Sequence, residues 1–278
     1  GIKFNTALGE ILKPDEQGIR AQVITIPAGK FTPVGALVRE PSLPPIDGSA
    51  KAEYVRRYLN FFPKSALQGL SIGLYEHSSV SRECLYEILT GLGAKVMCLG
   101  RSDVFISVDT EAIRPEDVAL AAQWSNEHGF DCIISTDGDG DRPLISDEKG
   151  VWLRGDVAGV LCAQYLAADA VITPVNGNSA LELSGLFNYT QRTQIGSPYV
   201  IAGMLEAGRE YNNVIGYEAN GGVLVGSEII KDGRRLAPLP TRDAAIVALA
   251  ILMLAKEKVL TISALLKTLP ERYTVSNR

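Results

Sequence analysis

Residues 134–146 read Ile-Ser-Thr-Asp-Gly-Asp-Gly-Asp-Arg-Pro-Leu-Ile-Ser, and this stretch decides how the rest of the chain is read. Asp137, Asp139 and Asp141 stand at alternate positions with only glycine between them. Three carboxylates that close cannot all stay ionised unless positive charge sits among them, and Arg142 supplies one charge. A hard divalent cation with oxygen ligands resolves the conflict, and Mg²⁺ suits a site that keeps positions open for water or phosphate. Gly138 and Gly140 let the backbone wrap the acids around one point. The flanks at 130–134 and 143–145 are short and apolar, as strands are. Two other readings meet the same residues. Asp-Gly pairs are common in solvated hairpin turns, but such a turn does not need acids at three alternate positions between apolar segments. A calcium-binding EF-hand loop counted from Asp137 would end suitably at Glu148, yet Arg142 stands where that loop requires glycine.

Outward from this loop, helix-like and strand-like segments alternate. Upstream, helical spacing at 50–60, 81–92 and 115–128 separates strands at 70–75, 95–99 and 132–136. Ser81 is expected to cap the second of these helices, and His77-Ser78 to lie in a strand-to-helix turn rather than form a nucleophile pair. His128, just before Gly129, reads as a charge partner for a helix end. Downstream, helices are expected at 154–166, 180–186, 197–207, 243–256 and 262–268. Strands are expected at 170–174, 191–195 and 213–217, the last running into Glu218-Ala219-Asn220-Gly221-Gly222. The fold class that follows is α/β: two consecutive αβ domains with mixed, largely parallel sheets flanked by helices. In such sheets ligands collect at the carboxyl ends of strands, where the Asp137 loop lies. Residues 1–48 mix a strand-like piece at 20–26 with Pro/Gly turns and end in a Pro-rich linker. They are poor in core formers and are expected to complete a neighbour.

Composition narrows the function classes. Across 278 residues the chain is 46% hydrophobic and 21% charged, which describes a water-soluble globular protein of about two domains. A net charge of −5 with no Lys/Arg cluster argues against nucleic acid as a partner. The longest apolar run, 244–255, is too short to cross a bilayer and fits a buried helix. Cys84, Cys98, Cys132 and Cys162 show no C-x-x-C pairing and read as buried thiols in a reducing cytosol. Both termini read as cut from something larger.

Four segments in order resemble one family. Residues 136–143 are similar to the metal loop T-D-G-D-[GA]-D-R of the α-D-phosphohexomutases. Residues 217–222 resemble that family's sugar loop G-E-x-S-G-H, with Asn220 in place of Ser and Gly222 in place of His. Residues 194–198, with Gly196 and Ser197, are similar to the short loop between the two. The opening Gly1-Ile2-Lys3-Phe4 resembles the N-G-x-K segment that follows the family's phosphoserine loop. The resemblance covers nearly the whole chain, with the phosphomannomutase branch most similar.

That resemblance implies a four-domain enzyme interconverting hexose 1- and 6-phosphates through a hexose bisphosphate. Residues 1–48 would be the tail of the first domain, 49–150 the second, 151–270 the third, and 271–278 a linker to a fourth. The phosphoserine would lie upstream of Gly1, so this chain alone is expected to bind Mg²⁺ weakly and show no turnover. The resemblance implies that Asp137, Asp139 and Asp141 hold Mg²⁺ and that Arg142 faces phosphate. It also implies that Lys3 is a general acid/base, while Glu218, Asn220, Gly196 and Ser197 contact substrate. Phosphoglucosamine mutase activity and a non-catalytic sugar-phosphate-binding module are the alternatives.

Overall fold

The computed structural model describes residues 3–6 and 8–273. Gly1 and Ile2 of the opening segment, and residues 274–278 of the expected linker, lie outside the described residues. The chain opens with β1 (Asn5–Thr6), β2 (Gly9–Glu10) and α1 (Lys13–Arg20). The first αβ unit follows as α2 (Ser49–Phe61), β3 (Ser71–Tyr75), α3 (Arg82–Gly91), β4 (Lys95–Leu99), α4 (Pro115–His128), β5 (Cys132–Thr136) and β6 (Pro143–Ile145). The second begins with α5 (Gly155–Tyr165), β7 (Ala170–Pro174), α6 (Ala180–Leu183), β8 (Tyr189–Thr193), α7 (Ser197–Ala207) and β9 (Val214–Tyr217). It continues through β10 (Val223–Val225), β11 (Ile229–Lys231), β12 (Arg234–Leu236), β13 (Leu239–Asp243), α8 (Ala244–Lys258) and α9 (Ile262–Leu266).

Two mixed sheets result, as the alternation of elements requires. The first runs β4-β3-β5-β6, with β3 parallel to β4 and β5, and β6 returning antiparallel along β5. The second runs β13-β10-β9-β7-β8, with β7 parallel to both neighbours and β10 antiparallel to both of its own. Successive side chains of a strand point to opposite faces, and the core follows that period. Ile72, Leu74, Cys132 and Ile134 face one cluster, while Tyr75 and Ile133 face a second with Ala121 of α4. In the other sheet Val171, Ile215 and Val223 join the first cluster, whereas Ile172, Val214 and Leu224 pack on Val200 and Met204 of α7.

The two units therefore share their largest core. At its centre is α8, buried from Ala244 to Leu252 and packed on both α5 and β6. A helix apolar on every side has no solvent face to offer, so it sits between layers. Polar contacts fix its start. The fully buried Asp243 accepts hydrogen bonds from the Tyr54 hydroxyl (2.9 Å), from the Tyr58 hydroxyl, and from the backbone N–H of Ile246. Burial pushes its carboxyl up, and the tyrosine hydrogen bonds and Arg57 oppose that shift. This group ties α2 of the first unit to the β13–α8 junction of the second.

Several expectations are corrected. No strand forms at 20–26. Arg20 instead closes α1, which its own ion pairs support: Lys13 and Arg20 both reach Glu16, at 2.8 and 2.7 Å. Residues 22–28 follow as exposed irregular chain. Helix α6 stops at Leu183, where the Ser184 hydroxyl bonds the Leu181 carbonyl and Gly185 turns to φ +63°. Strand β8 starts at Tyr189 because its register with β7 pairs Ala170 with Tyr189 and Pro174 with Thr193, leaving Gln194 onward as loop. Cys98 is exposed on the edge strand β4 and Cys84 half-buried, so only Cys132 and Cys162 are buried thiols; all four are unpaired. No helix among the described residues is long and apolar enough to cross a membrane.

Candidate active site

The Asp137 loop is the tip between β5 and β6, whose register pairs Thr136 with Pro143. The strand flanks and Glu148 together exclude the EF-hand: the Glu148 carboxylate is bound instead by the backbone N–H (3.1 Å) and hydroxyl of Ser263. The loop is wound around the side chain of Asp137. Its Oδ1 accepts the backbone N–H groups of Gly140, Asp141 and Arg142 at 3.1, 3.2 and 3.2 Å. Gly140 is needed twice over. It adopts φ +81°, and a Cβ there would lie 2.8 Å from Ser81 Cβ. Gly138 carries no such backbone demand.

Beneath the loop, the hydroxyls of Ser79, Ser81 and Thr136 form a triangle with sides of 2.7–2.9 Å. The Ser81 hydroxyl is engaged there and does not cap α3. The His77 ring bonds the Thr136 carbonyl through Nε2 at 2.9 Å, so His77 buttresses the loop and is no partner to a nucleophile. Burial lowers its pKa, which favours the neutral ring. His128 ends α4 beside the left-handed Gly129, its Nε2 3.9 Å from Glu127.

One carboxylate oxygen from each of Asp137, Asp139 and Asp141 lies within 4.8 Å of the others. Burial pushes the Asp137 carboxyl up to about 6, with the charges of Asp141 and Asp139 adding to the rise against the loop's hydrogen bonds. Asp139 is held below its ordinary value, first by the hydrogen bond from Lys3. The Lys3 ammonium donates to Asp139 at 3.0 Å and to Asp141 at 2.8 Å. Partial burial pulls its pKa down, but those two carboxylates outweigh that effect and hold it above the usual lysine range. Arg142 leans on the acids from the other side, its Nε 3.7 Å from Asp137 and 3.8 Å from Asp141 and without a hydrogen-bond partner. Asp141 Oδ1 is likewise a buried acceptor left unbonded. Clustered acids that draw basic side chains from several elements, with one orphaned oxygen, have the donor set a hard cation takes.

The second loop meets the first. The 218–222 turn packs its Gly221 against Pro143 and against Gly155 at the start of α5. A Cβ on Gly155 would come within 2.3 Å of Gly221 N, so only glycine allows this approach. Glu218 is buried, and its Oε2 accepts from Arg242 Nε at 2.5 Å. Arg242 Nη1 lies 3.4 Å from Asp141 Oδ2, so one guanidinium bridges the two loops. Its Nη2 lies 3.4 Å from the Ser197 hydroxyl, which itself donates to Glu10. Gly196 precedes Ser197 as the N-cap of α7, at φ +126°. Asn220 spends its carboxamide oxygen inside the turn, accepting Gly222 N–H at 2.9 Å. Lys3, Arg142, Ser197, Glu218 and the three aspartates are thus linked in one network.

Arg242 and Glu10 escaped sequence reasoning. Thr241-Arg242-Asp243 ahead of an apolar run reads as a helix start, and nothing in its spacing points back to Asp141. Glu10 belongs to the segment expected to complete a neighbour, and β2 does pack against β13 and α7 beside the site, but no motif in that segment singles Glu10 out.

Sequence comparison places both αβ units in a known family. Residues 52–150 match the profile of the phosphoglucomutase/phosphomannomutase alpha/beta/alpha domain II, and residues 154–273 match that of domain III. The chain belongs to the phosphoglucomutase/phosphomannomutase family. It is 45% identical over 280 residues to a phosphomannomutase of Salmonella muenchen, covering 100% of this chain and 56% of that protein. It is 46% identical over 260 residues to one of Sinorhizobium fredii, covering 92% and 54%. A phosphoglucosamine mutase of Parvibaculum lavamentivorans is 32% identical over 218 residues, 74% of this chain and 45% of that protein. The chain thus spans just over half the length of the two phosphomannomutases. The fold is shared with an Aspergillus fumigatus N-acetylphosphoglucosamine mutase in complex with GlcNAc-6P and magnesium. That structure has a TM-score of 0.52 at 16% identity, over 79% of this chain and 52% of that one.

Proposed function

We propose that these residues form the metal- and sugar-binding centre of a phosphohexomutase. The enzyme would move a phosphoryl group between the 1- and 6-positions of a hexose phosphate through a hexose bisphosphate. The observation that carries this reading is the junction of two loops at one place: Asp141 of the acidic loop and Glu218 of the second turn share the guanidinium of Arg242. Asp137, Asp139 and Asp141 would hold Mg²⁺, which neutralises charge on the oxygens of a transferring phosphoryl group. The network supports a divalent ion. Its carboxyl groups (Glu10, Asp137, Asp139, Asp141, Glu218) exceed its basic groups (Lys3, Arg142, Arg242) by two.

Each side chain then has a task that its chemistry supports. Glu218 accepts from vicinal sugar hydroxyls, and Asn220, its oxygen fixed in the turn, offers its amide hydrogens. The Arg142 guanidinium, with its Nε unbonded, is free to fork onto phosphate oxygens. Lys3, released from the acids when they ligate the cation, holds a proton for the reacting hydroxyl. Gly196 and Ser197, at the start of α7, close the site beside Glu10. The phosphoryl-carrying serine and the phosphate-gripping domain would come from sequence outside these residues, so this chain alone would bind Mg²⁺ weakly and not turn over. The unpaired thiols suit a cytosolic enzyme.

Mannose phosphates are the first substrates to try, because the phosphomannomutases match at 45–46% identity against 32% for the phosphoglucosamine mutase. The test is an assay of the full natural chain containing these residues. Mannose, glucose and glucosamine 1-phosphates are supplied with a trace of bisphosphate, with Mg²⁺ or with chelator. Mg²⁺-dependent isomerisation, fastest on the mannose compound, is expected. Fastest turnover of glucosamine phosphate would move the enzyme to the alternative activity. Mg²⁺-dependent binding without turnover of any sugar would make it a binding module.

A further inference from the structure

Arg242 occupies space that another residue leaves open. Gly222 has no side chain, and a Cβ built there would lie 2.7 Å from Arg242 Cδ and 2.8 Å from its Cγ. The aliphatic stem of Arg242 therefore lies across the 218–222 turn, where a side chain from position 222 would otherwise project. Its head is largely shielded, with 13% of the side chain exposed, between a carboxylate 6% exposed and one 21% exposed. Each end of the planar fork meets a different element. Nε is 2.5 Å from Glu218, Nη1 3.4 Å from Asp141 and Nη2 3.4 Å from Ser197. The base of the side chain is equally fixed, because the next residue is Asp243, held by Tyr54 and Tyr58 of α2. A shielded ion pair is poor evidence for a stabilising role, since desolvation offsets much of its attraction. A rigid fork joined to three partners is well suited to positioning.

We propose that Arg242 is the positioning residue of the second loop: lying in the space left by Gly222, it fixes the Glu218 carboxylate for the sugar and couples it to Asp141 of the metal loop. This rests on the proposed function above. The coupling has a signed consequence. Arg242 and a divalent ion are both cations drawing on Asp141, so each weakens the other's hold on it. Removing Arg242 releases Glu218 and weakens sugar-phosphate binding, yet it leaves the acids with one positive charge fewer and strengthens Mg²⁺ binding. A residue serving only to hold the fold would weaken both.

The experiment uses the full natural chain and its Arg242→Ala, Arg242→Lys and Gly222→Ala variants. Mg²⁺ affinity is measured by calorimetry, and KM and kcat are measured for the hexose phosphate the wild type turns over. Arg242→Ala is expected to raise KM about tenfold or more, the scale of losing a hydrogen bond to a charged group. The same variant should bind Mg²⁺ several-fold more tightly. Arg242→Lys restores the charge without the fork, so Mg²⁺ affinity returns to wild type while KM stays raised. Gly222→Ala, whose methyl displaces the Arg242 stem, raises KM with Mg²⁺ affinity unchanged, and it serves as the check if Arg242→Ala fails to fold. Loss of affinity for both ligands in Arg242→Ala, no change in either, or a wild-type KM in Arg242→Lys or Gly222→Ala would overturn the assignment. Active wild type with an unchanged KM in the variants defeats this inference alone. Inactivity of the wild type on every hexose phosphate defeats the proposed function and this inference with it.

Discussion

The acidic loop and the 218–222 turn are neighbours in space but are held by opposite means. The acidic loop closes on itself: Asp137 gathers three backbone N–H groups from the next five residues, and its own N–H bonds the Arg142 carbonyl at 3.1 Å. The second turn has a local frame too, with Gly221 N–H bonded to the Glu218 carbonyl at 2.9 Å. Its functional carboxylate, however, is fixed by a guanidinium 24 residues further along the chain. A loop that carries its own frame can be recognised wherever its sequence occurs. A loop framed from outside depends on the packing of the whole unit, here on Gly155, Arg242 and Asp243. The contrast predicts which substitutions damage metal binding and which damage only the sugar side.

The largest effect is expected in the self-framed loop. Asp139→Asn or Asp141→Asn should lower turnover of the full natural chain on the order of 10³-fold, as loss of a key charge-stabilising group does. Mg²⁺ affinity by calorimetry should fall more than about a hundredfold, beyond the loss seen when only a supporting residue is removed. Next comes the support of the outer loop. Asp243→Ala strips a buried carboxylate from Tyr54, Tyr58 and the α8 cap, and should cost about 3 kcal/mol in denaturant unfolding. Unchanged stability would show that the α2–α8 junction does not hold the β13 end in place. Gly155→Ala is smaller. Its methyl must push the 218–222 turn away at a cost of about 1–3 kcal/mol, so hexose phosphate binding should weaken while Mg²⁺ binding stays as it was. Equal losses in both would erase the distinction between the loops.

The smallest effect is a pH dependence. The Asp137 carboxyl sits at about 6, above its unfolded value, because of burial. A raised carboxyl pKa costs stability where the group is ionised, so the metal-free chain gains stability from this group as pH falls through about 6, until the unfolded carboxyl also protonates. Mg²⁺ needs the ionised form, so its affinity should be full above that pH and fall about tenfold per unit below it. A flat affinity between pH 5 and 7 would show that Asp137 is not a ligand.

The same contrast explains what the sequence disclosed. Segments with a strong internal pattern, such as β4, α4, β5 and α7, begin and end where their residues indicate. Helix α1 was hidden because it buries no residue and is supported by Lys13–Glu16–Arg20 pairs, while Val23, Ile24 and Ile26 just beyond it mimic a strand yet stay exposed. Strand β8 was displaced because its register belongs to β7. The aspartates were legible from spacing alone, since crowded charge has few solutions. Arg242 was not, because its meaning lies in a missing side chain at Gly222 and in two acids elsewhere.

The central claim is that both loops grip one ligand. A double-mutant cycle on the full natural chain tests it most directly: calorimetric affinity for a hexose 1,6-bisphosphate, at saturating Mg²⁺, in wild type, Asp139→Asn, Glu218→Ala and the pair. Shared occupancy should give strongly non-additive losses, with a coupling of about 0.5–3 kcal/mol, and little residual binding in either single variant. Simple additivity, or full affinity after Glu218→Ala, would mean that the two loops do not share a ligand and would contradict the account.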